Sequence, residues 1–159
     1  MEEKLTHIDE NGRPRMVNVG EKADTHRIAV AKGSIYMQPA TLARIKEGSI
    51  AKGDVLSVAQ TAGIMAAKNT ASNIPMCHNI FITGVDMDIQ IDEEKSAIHI
   101  EASASTIGKT GIEMESLNAV AIAALTIYDM CKAIDRGMRI TDIRLVKKDG
   151  GKSGLFVAE

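Results

Sequence analysis

The sequence predicts an α+β protein: a ferredoxin-like sandwich in which helices pack on one face of an antiparallel sheet. Three observations lead to this prediction. Four stretches have the alternation or composition of strands, three have helical signals, and their order is strand, helices, strand, strand, helix, strand. That order corresponds to two split βαβ units, which share one sheet. The length of 159 residues predicts a single domain over 1–159.

The first half of the chain opens with a polar segment over 1–24, which we interpret as an arm with weak structure of its own. A strand is predicted at about 27–37. Pro39 then opens a short helix that Gly48 ends. Asp54 is the predicted N-cap of a second helix. The apolar face expected of this second helix consists of Val55, Val58, Ala59, Ala62, Met65 and Ala66.

The middle of the chain carries the clearest strand signal. After a predicted loop over 70–75, apolar residues alternate with acidic and amide residues over 85–92, which is typical of a half-buried strand. A turn is predicted at 92–96. Alternation resumes over 98–104, so we expect the second strand to run antiparallel to the first.

The last third combines a long helix and a final strand. The helix is predicted at about 116–136, where Gly137 would end it. The strand is predicted at about 138–146, followed by a glycine-rich loop over 150–154. The apolar face expected of the helix consists of Leu117, Val120, Ala121, Ala124, Tyr128 and Cys131.

Composition excludes several classes of function. A formal net charge of -2 and 3% aromatic residues argue against binding nucleic acid or an anionic membrane. Cys77 and Cys131 form no C-x-x-C pair, and two free thiols fit a reducing cytoplasm. The expected core, built from small aliphatic residues and methionine without tryptophan, is thin. Oligomerisation would bury more surface.

Two segments imitate the end of a phosphate-binding loop. Gly108-Lys109-Thr110 and Gly151-Lys152-Ser153 both read G-K-[ST], but the glycine that a Walker loop needs five residues earlier is missing from both. Neither is therefore a Walker loop. Each could still offer backbone N–H groups and a lysine to a phosphate, or be an ordinary solvated turn.

Several polar residues could carry chemistry, and each has a purely structural alternative. Asp129 and Lys132 share a helix face, either as a surface ion pair or as a lysine tuned for proton transfer. His78 could act as acid, base, phosphate donor or metal ligand, or be structural. Glu113 and Glu115 could serve the helix dipole or hydrogen-bond a polar heterocycle. The basic residues available for an anion are Arg27, Lys52, Lys68, Lys147, Lys148 and Lys152.

Longer motifs give the chain a recognisable signature. The segments KTGIEME (109–115) and AALTIYDMCKA (123–133) resemble the signature of the molybdenum cofactor biosynthesis protein C family. Supporting motifs are KGDV (52–55), IPMCH (74–78) and GGKSG (150–154). The resemblance covers nearly the whole chain. One departure is Asn18, where the family usually has an aspartate.

The resemblance implies a ferredoxin-like fold and a homohexamer, a trimer of dimers with active sites at subunit interfaces. It implies a pyrophosphate-releasing lyase that converts 3′,8-cyclo-7,8-dihydro-GTP into cyclic pyranopterin monophosphate, in molybdopterin biosynthesis. The alternative is a non-catalytic nucleotide-binding module, which would have no need of an acid/base set. No organic cofactor or resident metal is expected. Magnesium could accompany the substrate phosphates, but no carboxylate set would cage it.

The resemblance also implies roles for individual residues. Lys52, Asp129 and Lys132 are the expected catalytic residues. Crowding by cations is expected to leave the two lysines partly neutral, so that they act as base and acid while Asp129 orients Lys132. The expected substrate-binding residues are Arg27, Lys68, Met76, Cys77, His78, Glu113, Met114, Glu115 and Lys148.

Overall fold

The computed structural model describes residues 6–159. Its elements in chain order are β1 (Thr25–Tyr36), α1 (Pro39–Lys46), α2 (Val55–Lys68), α3 (Thr70–Asn73), β2 (Ile82–Asp92), β3 (Ala97–Gly108), α4 (Glu113–Cys131), β4 (Arg139–Asp149) and β5 (Phe156–Val157). The strand order is β2-β3-β1-β4-β5, and all neighbours are antiparallel. Helices α2 and α4 pack on each other and on this sheet. The predicted ferredoxin-like sandwich is confirmed.

The sheet and helices meet through small residues. Ala31 and Ala102 pair across the two central strands and are fully buried. A Cβ atom on Gly33 would lie 2.7 Å from Val120 Cγ1, closer than real contacts allow. Glycine and alanine at these points let α4 approach the sheet closely, so few bulky side chains are needed to fill the core.

Helix α2 begins as predicted but turns a different face inward. The side chain of Asp54 accepts a hydrogen bond from the backbone N–H of Ser57 at 3.1 Å, which confirms it as the N-cap. The predicted apolar face is partly wrong, because Val58 and Met65 are 43% and 49% exposed. Their places in the core are taken by small residues that fit against α4. The buried positions are Val55, Ala59, Gly63, Ala66 and Ala67.

The limits of α4 differ from the prediction at both ends. The helix begins at Glu113, three residues early, and ends at Cys131 rather than near 136. Gly137 therefore does not end it. Asp135 is buried instead, and its carboxylate accepts from the backbone N–H of Gln38 at 2.9 Å. The chain must leave the helix before Asp135 to make this contact.

The remaining differences are small. The predicted loop over 70–75 contains the single turn of α3, β4 runs on to Asp149, and β5 adds two residues beside Lys147 and Lys148. In the predicted arm, residues 1–5 lie outside the described residues, and the next stretch forms one bridge between Ile8 and Pro14. Within residues 6–159, no helix is long and apolar enough to cross a membrane.

Candidate active site

A large cleft lies where the start of β1, the end of β3, the end of β4 and the start of α4 meet. Its volume is about 1090 Å³. We call it the basic cleft because lysine and arginine outnumber acidic residues in its lining. The charged residues lining it are Glu21, Lys22, Arg27, Lys109, Glu113, Lys148 and Lys152. Three of the expected substrate-binding residues, Arg27, Glu113 and Lys148, therefore come together here.

Arg27 is held rigidly in the basic cleft. Its Nε donates to the carbonyl of Gly108 at 3.0 Å, and Nη2 donates to the carbonyl of Lys109 at 3.2 Å. Gly151 lies against the other side, where an added Cβ would overlap Nη1. Gly150 and Gly151 both have positive φ, +96° and +76°, which disfavours other residues. Sequence reasoning quoted these glycines as a motif but missed their support of Arg27.

Both Walker look-alike segments end in this cleft. Lys109 donates to the backbone carbonyl of Lys22 at 2.6 Å, and Lys152 lines the cleft from the loop between β4 and β5. Lys148 contacts the hydroxyl of Ser153 in the same loop. Separate backbone segments thus place lysines around one space. This arrangement suits an anion with several charges.

A smaller cavity of about 240 Å³ adjoins the basic cleft and shares Thr110, Gly111 and Glu113 with it. We call it the carboxyl pocket because Glu113 and Glu115 both line it. His78 also lines it, and its Nε2 lies 2.6 Å from the carbonyl oxygen of Val17. This ring nitrogen must be the donor. The other predicted residues in its lining are Met76, Cys77 and Met114.

Glu115 is the most perturbed acid in the site. The residue is 3% exposed, and its Oε2 has no hydrogen-bond partner among the described residues. Burial, with a smaller contribution from the Glu113 charge, raises the pKa of Glu115 to about 7. Burial, followed by the nearby Glu115 charge, also raises the pKa of the Cys77 thiol. Burial in this pocket therefore disfavours the charged forms of Glu115 and Cys77.

The expected catalytic residues form a separate cluster at the other end of α4. The carboxylate of Asp129 accepts from Lys132 at 2.6 Å and from Lys52 at 3.0 Å. These hydrogen bonds, that of Lys132 first, lower the pKa of Asp129 to about 2. The same hydrogen bond raises the pKa of Lys132. The expectation that Lys132 is partly neutral is therefore wrong: its near neighbour is an anion, which holds it protonated.

Within one chain, the expected catalytic residues around Asp129 lie far from the expected substrate-binding residues around Glu113. Asp129 follows Glu113 by 16 positions on one helix, which at 1.5 Å per residue is a separation of about 24 Å. Lys68, at the end of α2, is exposed and lines neither cavity. It lies towards the Glu113 end, because Asn118 of α4 donates to the carbonyl of Ala66 at 2.9 Å.

The linings of the two adjoining cavities suit a small anionic molecule with a polar ring. The profile of the MoaC family matches residues 16–151, and the chain belongs to this family. It is 66% identical to a cyclic pyranopterin monophosphate synthase from Thermoanaerobacter pseudethanolicus, over 98% of both chains. A protein of the same name from Clostridium acetobutylicum is 63% identical over 98% of this chain and 97% of its own. That from Heliobacterium modesticaldum is 57% identical over 98% of both.

Proposed function

We propose that this chain is a cyclic pyranopterin monophosphate synthase. It converts 3′,8-cyclo-7,8-dihydro-GTP into cyclic pyranopterin monophosphate and pyrophosphate, a step of molybdenum cofactor biosynthesis. The observation that carries the proposal is the junction of a cation-lined cleft with a carboxyl-lined pocket at the first turn of α4. The negative charges of a triphosphate suit the cation-lined cleft, and the N–H groups of a purine-derived ring suit the carboxyl-lined pocket. Near-complete coverage of synthases at 57–66% identity supports the same reading.

The triphosphate would occupy the basic cleft. Arg27 is fixed by two carbonyls and keeps further N–H groups for a ligand, since a guanidinium has five. Lys148 lines the same space. Charge-assisted hydrogen bonds from these cations bind the substrate and stabilise the charge that develops on departing pyrophosphate. Lys68 lies towards the same end of α4 and would add a further cation. His78 lines the adjoining carboxyl pocket, so it would reach a phosphate that lies at the junction of the two cavities.

The ring would occupy the carboxyl pocket. Glu113 shares both cavities, so its carboxylate can accept N–H groups of a ring whose phosphates lie in the basic cleft. Met76, Cys77 and Met114 supply the apolar surface that covers the faces of the ring. The pocket is small and partly apolar, so a bound ring would displace water from the hydrogen bonds formed inside it.

Proton transfer would be carried out by Lys52, Asp129 and Lys132. Opening and rebuilding a purine-derived ring needs repeated proton transfers, and Lys132 starts as a proton donor because Asp129 holds it protonated. After giving up a proton, it can serve as the base in a later step. No resident metal or organic cofactor is proposed. Magnesium would enter only with the substrate phosphates.

We propose a homohexamer, a trimer of dimers with its active sites at subunit interfaces. A separation of about 24 Å between the binding residues and the proton-transfer residues of one chain supports it, because residues from two subunits could then act on one substrate. Two copies related by a two-fold axis perpendicular to α4 would run their helices antiparallel. The Lys132 end of one copy would then face the Glu113 end of the other. Exposed apolar side chains on α2 and α4 support such contact: Val58, Met65 and Leu125 are 43%, 49% and 52% exposed.

Turnover of the purified protein tests the proposal. Incubation with 3′,8-cyclo-7,8-dihydro-GTP should release pyrophosphate and cyclic pyranopterin monophosphate in equal amounts, measured by a coupled phosphate assay and mass spectrometry. Tight binding of the substrate without any product would favour the non-catalytic nucleotide-binding module instead. We also propose a cytoplasmic location, which two free cysteines suit. Cell fractionation would check it.

A further inference from the structure

Glu115 differs from the other acids in the site because it is buried and one of its carboxyl oxygens has no partner among the described residues. Its side chain enters the wall of the carboxyl pocket from the first turn of α4, is 3% exposed, and leaves Oε2 without a hydrogen bond among residues 6–159. An ionised carboxylate in that position would lose its hydration and gain in return only a hydrogen bond from the backbone N–H of Glu115 itself. The neutral acid loses far less, and it has an O–H to donate.

Among the described residues, the side chains that face Glu115 offer its carboxylate no fixed positive charge. They come from three segments: His7 of the N-terminal arm, Cys77 and His78 of the loop before β2, and Glu113 of its own helix. His78 already donates its Nε2–H to the carbonyl of Val17. Burial raises the pKa of Glu115 most, a hydrogen bond from its own backbone N–H offsets part of this, and the like charge of Glu113 raises the pKa further. No lysine or arginine lines this pocket among the described residues.

We propose that Glu115 is a protonated carboxylic acid in the substrate-free enzyme and donates its O–H to a carbonyl oxygen or ring nitrogen of the purine-derived substrate. This inference rests on the proposed function, because it places the ring in the carboxyl pocket. Glu113 and Glu115 then have opposite roles. Glu113 accepts N–H groups of the ring, and Glu115 donates to an acceptor of the same ring.

The pairing of an acceptor with a donor determines which rings the pocket selects. A guanine-like edge presents N–H donors beside a carbonyl acceptor, and a site with one ionised and one neutral carboxyl complements both. Two carboxylates would repel the carbonyl oxygen. A ring with an amino group in place of that carbonyl would leave the Glu115 proton without a partner, so it should bind poorly.

Ligand binding by paired variants tests the proposal, with GTP as an unreactive probe and calorimetry at about pH 6 and about pH 8.5, either side of the Glu115 pKa. If only the protonated form binds, wild-type affinity should fall about 30-fold across this range. Glu115→Gln replaces the acid with a neutral donor of the same shape. It should bind like wild type at pH 6 and lose most of the pH dependence.

Glu113→Gln is the matched control, because it changes the neighbouring acid, which is proposed to be ionised. It should bind GTP more weakly at both pH values and keep the pH dependence. A tenfold loss of affinity in Glu115→Gln at pH 6 would show that Glu115 binds as a carboxylate, and would overturn the proposal.

Infrared spectroscopy tests the proton without any substrate. The carboxyl band of protonated Glu115 is assigned by its absence in Glu115→Gln. As pH rises, this band should disappear with a midpoint near pH 7. A midpoint below about pH 5, close to an ordinary glutamic acid, would refute the inference. This measurement does not depend on turnover, so failure of the proposed function and failure of this inference give different results.

Discussion

The ammonium group of Lys52 donates to Asp129 at two points, the carboxylate Oδ2 and the backbone carbonyl oxygen, each at 3.0 Å. This pair joins the loop before α2 to the last turn of α4. Lys132 donates to the other carboxylate oxygen of Asp129, Oδ1. Asp129 therefore fixes the positions of both lysines, and any ligand that approaches this cluster meets two cations arranged around one anion.

Replacing Lys132 with alanine should abolish turnover while the fold and assembly stay intact. A positioned proton donor contributes roughly 10²–10⁴-fold, and the exposed side chain contributes little packing. Lys95→Ala is the matched control: Lys95 is another exposed lysine paired with an aspartate three residues away, Asp92. It should keep full activity. Near-normal product formation by a correctly assembled Lys132→Ala protein would remove Lys132 from the catalytic set.

Substrate affinity should separate the phosphate-binding residues from the proton-transfer residues. We expect Lys68→Ala and His78→Ala to weaken the binding of a GTP-like ligand about 10–100-fold, since a hydrogen bond involving a charged group is worth about 1.5–3 kcal/mol. Lys132→Ala should weaken it little, because its main effect is on the transition state. Calorimetry on the three variants measures this. Equal losses in all three would contradict the division of roles.

The shared active site predicts complementation between inactive variants. Arg27→Ala and Lys132→Ala affect opposite ends of α4. If each site uses one end from each of two subunits, a refolded mixture should recover activity in up to about a quarter of its sites. Light scattering should report a particle of several 17.0 kDa chains. An active monomer, or no recovery in mixed particles, would rule out the shared site.

Gly151 should be needed for substrate affinity through its contact with Arg27. A Cβ in Gly151→Ala would displace the guanidinium, so we expect KM to rise about tenfold or more with a smaller change in kcat. Gly154→Ala is the control, because Gly154 is in the same loop with φ of +61° but has no atom near its Cβ position. Combining Gly151→Ala with Arg27→Ala should add little to Arg27→Ala alone. Additive effects would mean that Gly151 acts independently.

Buried Glu115 should make stability fall as pH rises. Its pKa in the folded chain, about 7, is above that of an unfolded glutamate, so between about pH 4.5 and pH 7 the folded state binds more protons. The stabilisation of the neutral acid is present below this range and is lost as pH rises through 7. Glu115→Gln should therefore gain stability relative to wild type, by roughly 2–3 kcal/mol above pH 7. Denaturant titrations at several pH values measure how the free energy of unfolding of each protein depends on pH. The same pH dependence in wild type and Glu115→Gln would contradict the prediction.

The sequence by itself determined the sandwich and the chemistry available to it. Period-two alternation over 85–92 and 98–104 defines the β2–β3 hairpin locally, and Asp54 marks the start of α2 through a bond to its own first turn. Such features depend on neighbours a few residues away, so they can be predicted from the order of residues. The motifs around Glu113 and Asp129 likewise identified the family without coordinates.

Tertiary structure decided what depends on distant segments. Asp135 shortens α4 because its partners, Gln38 and Thr41, lie at the start of α1. Packing between α2 and α4 selects small residues over Val58 and Met65 for the core. Glu115 becomes unusual only when loops enclose it. Asp129 shares one short motif with Lys132 but stands about 24 Å from Glu113 along α4. Burial, charge and distance between remote residues arise from three-dimensional packing, and a linear pattern contains no measure of them.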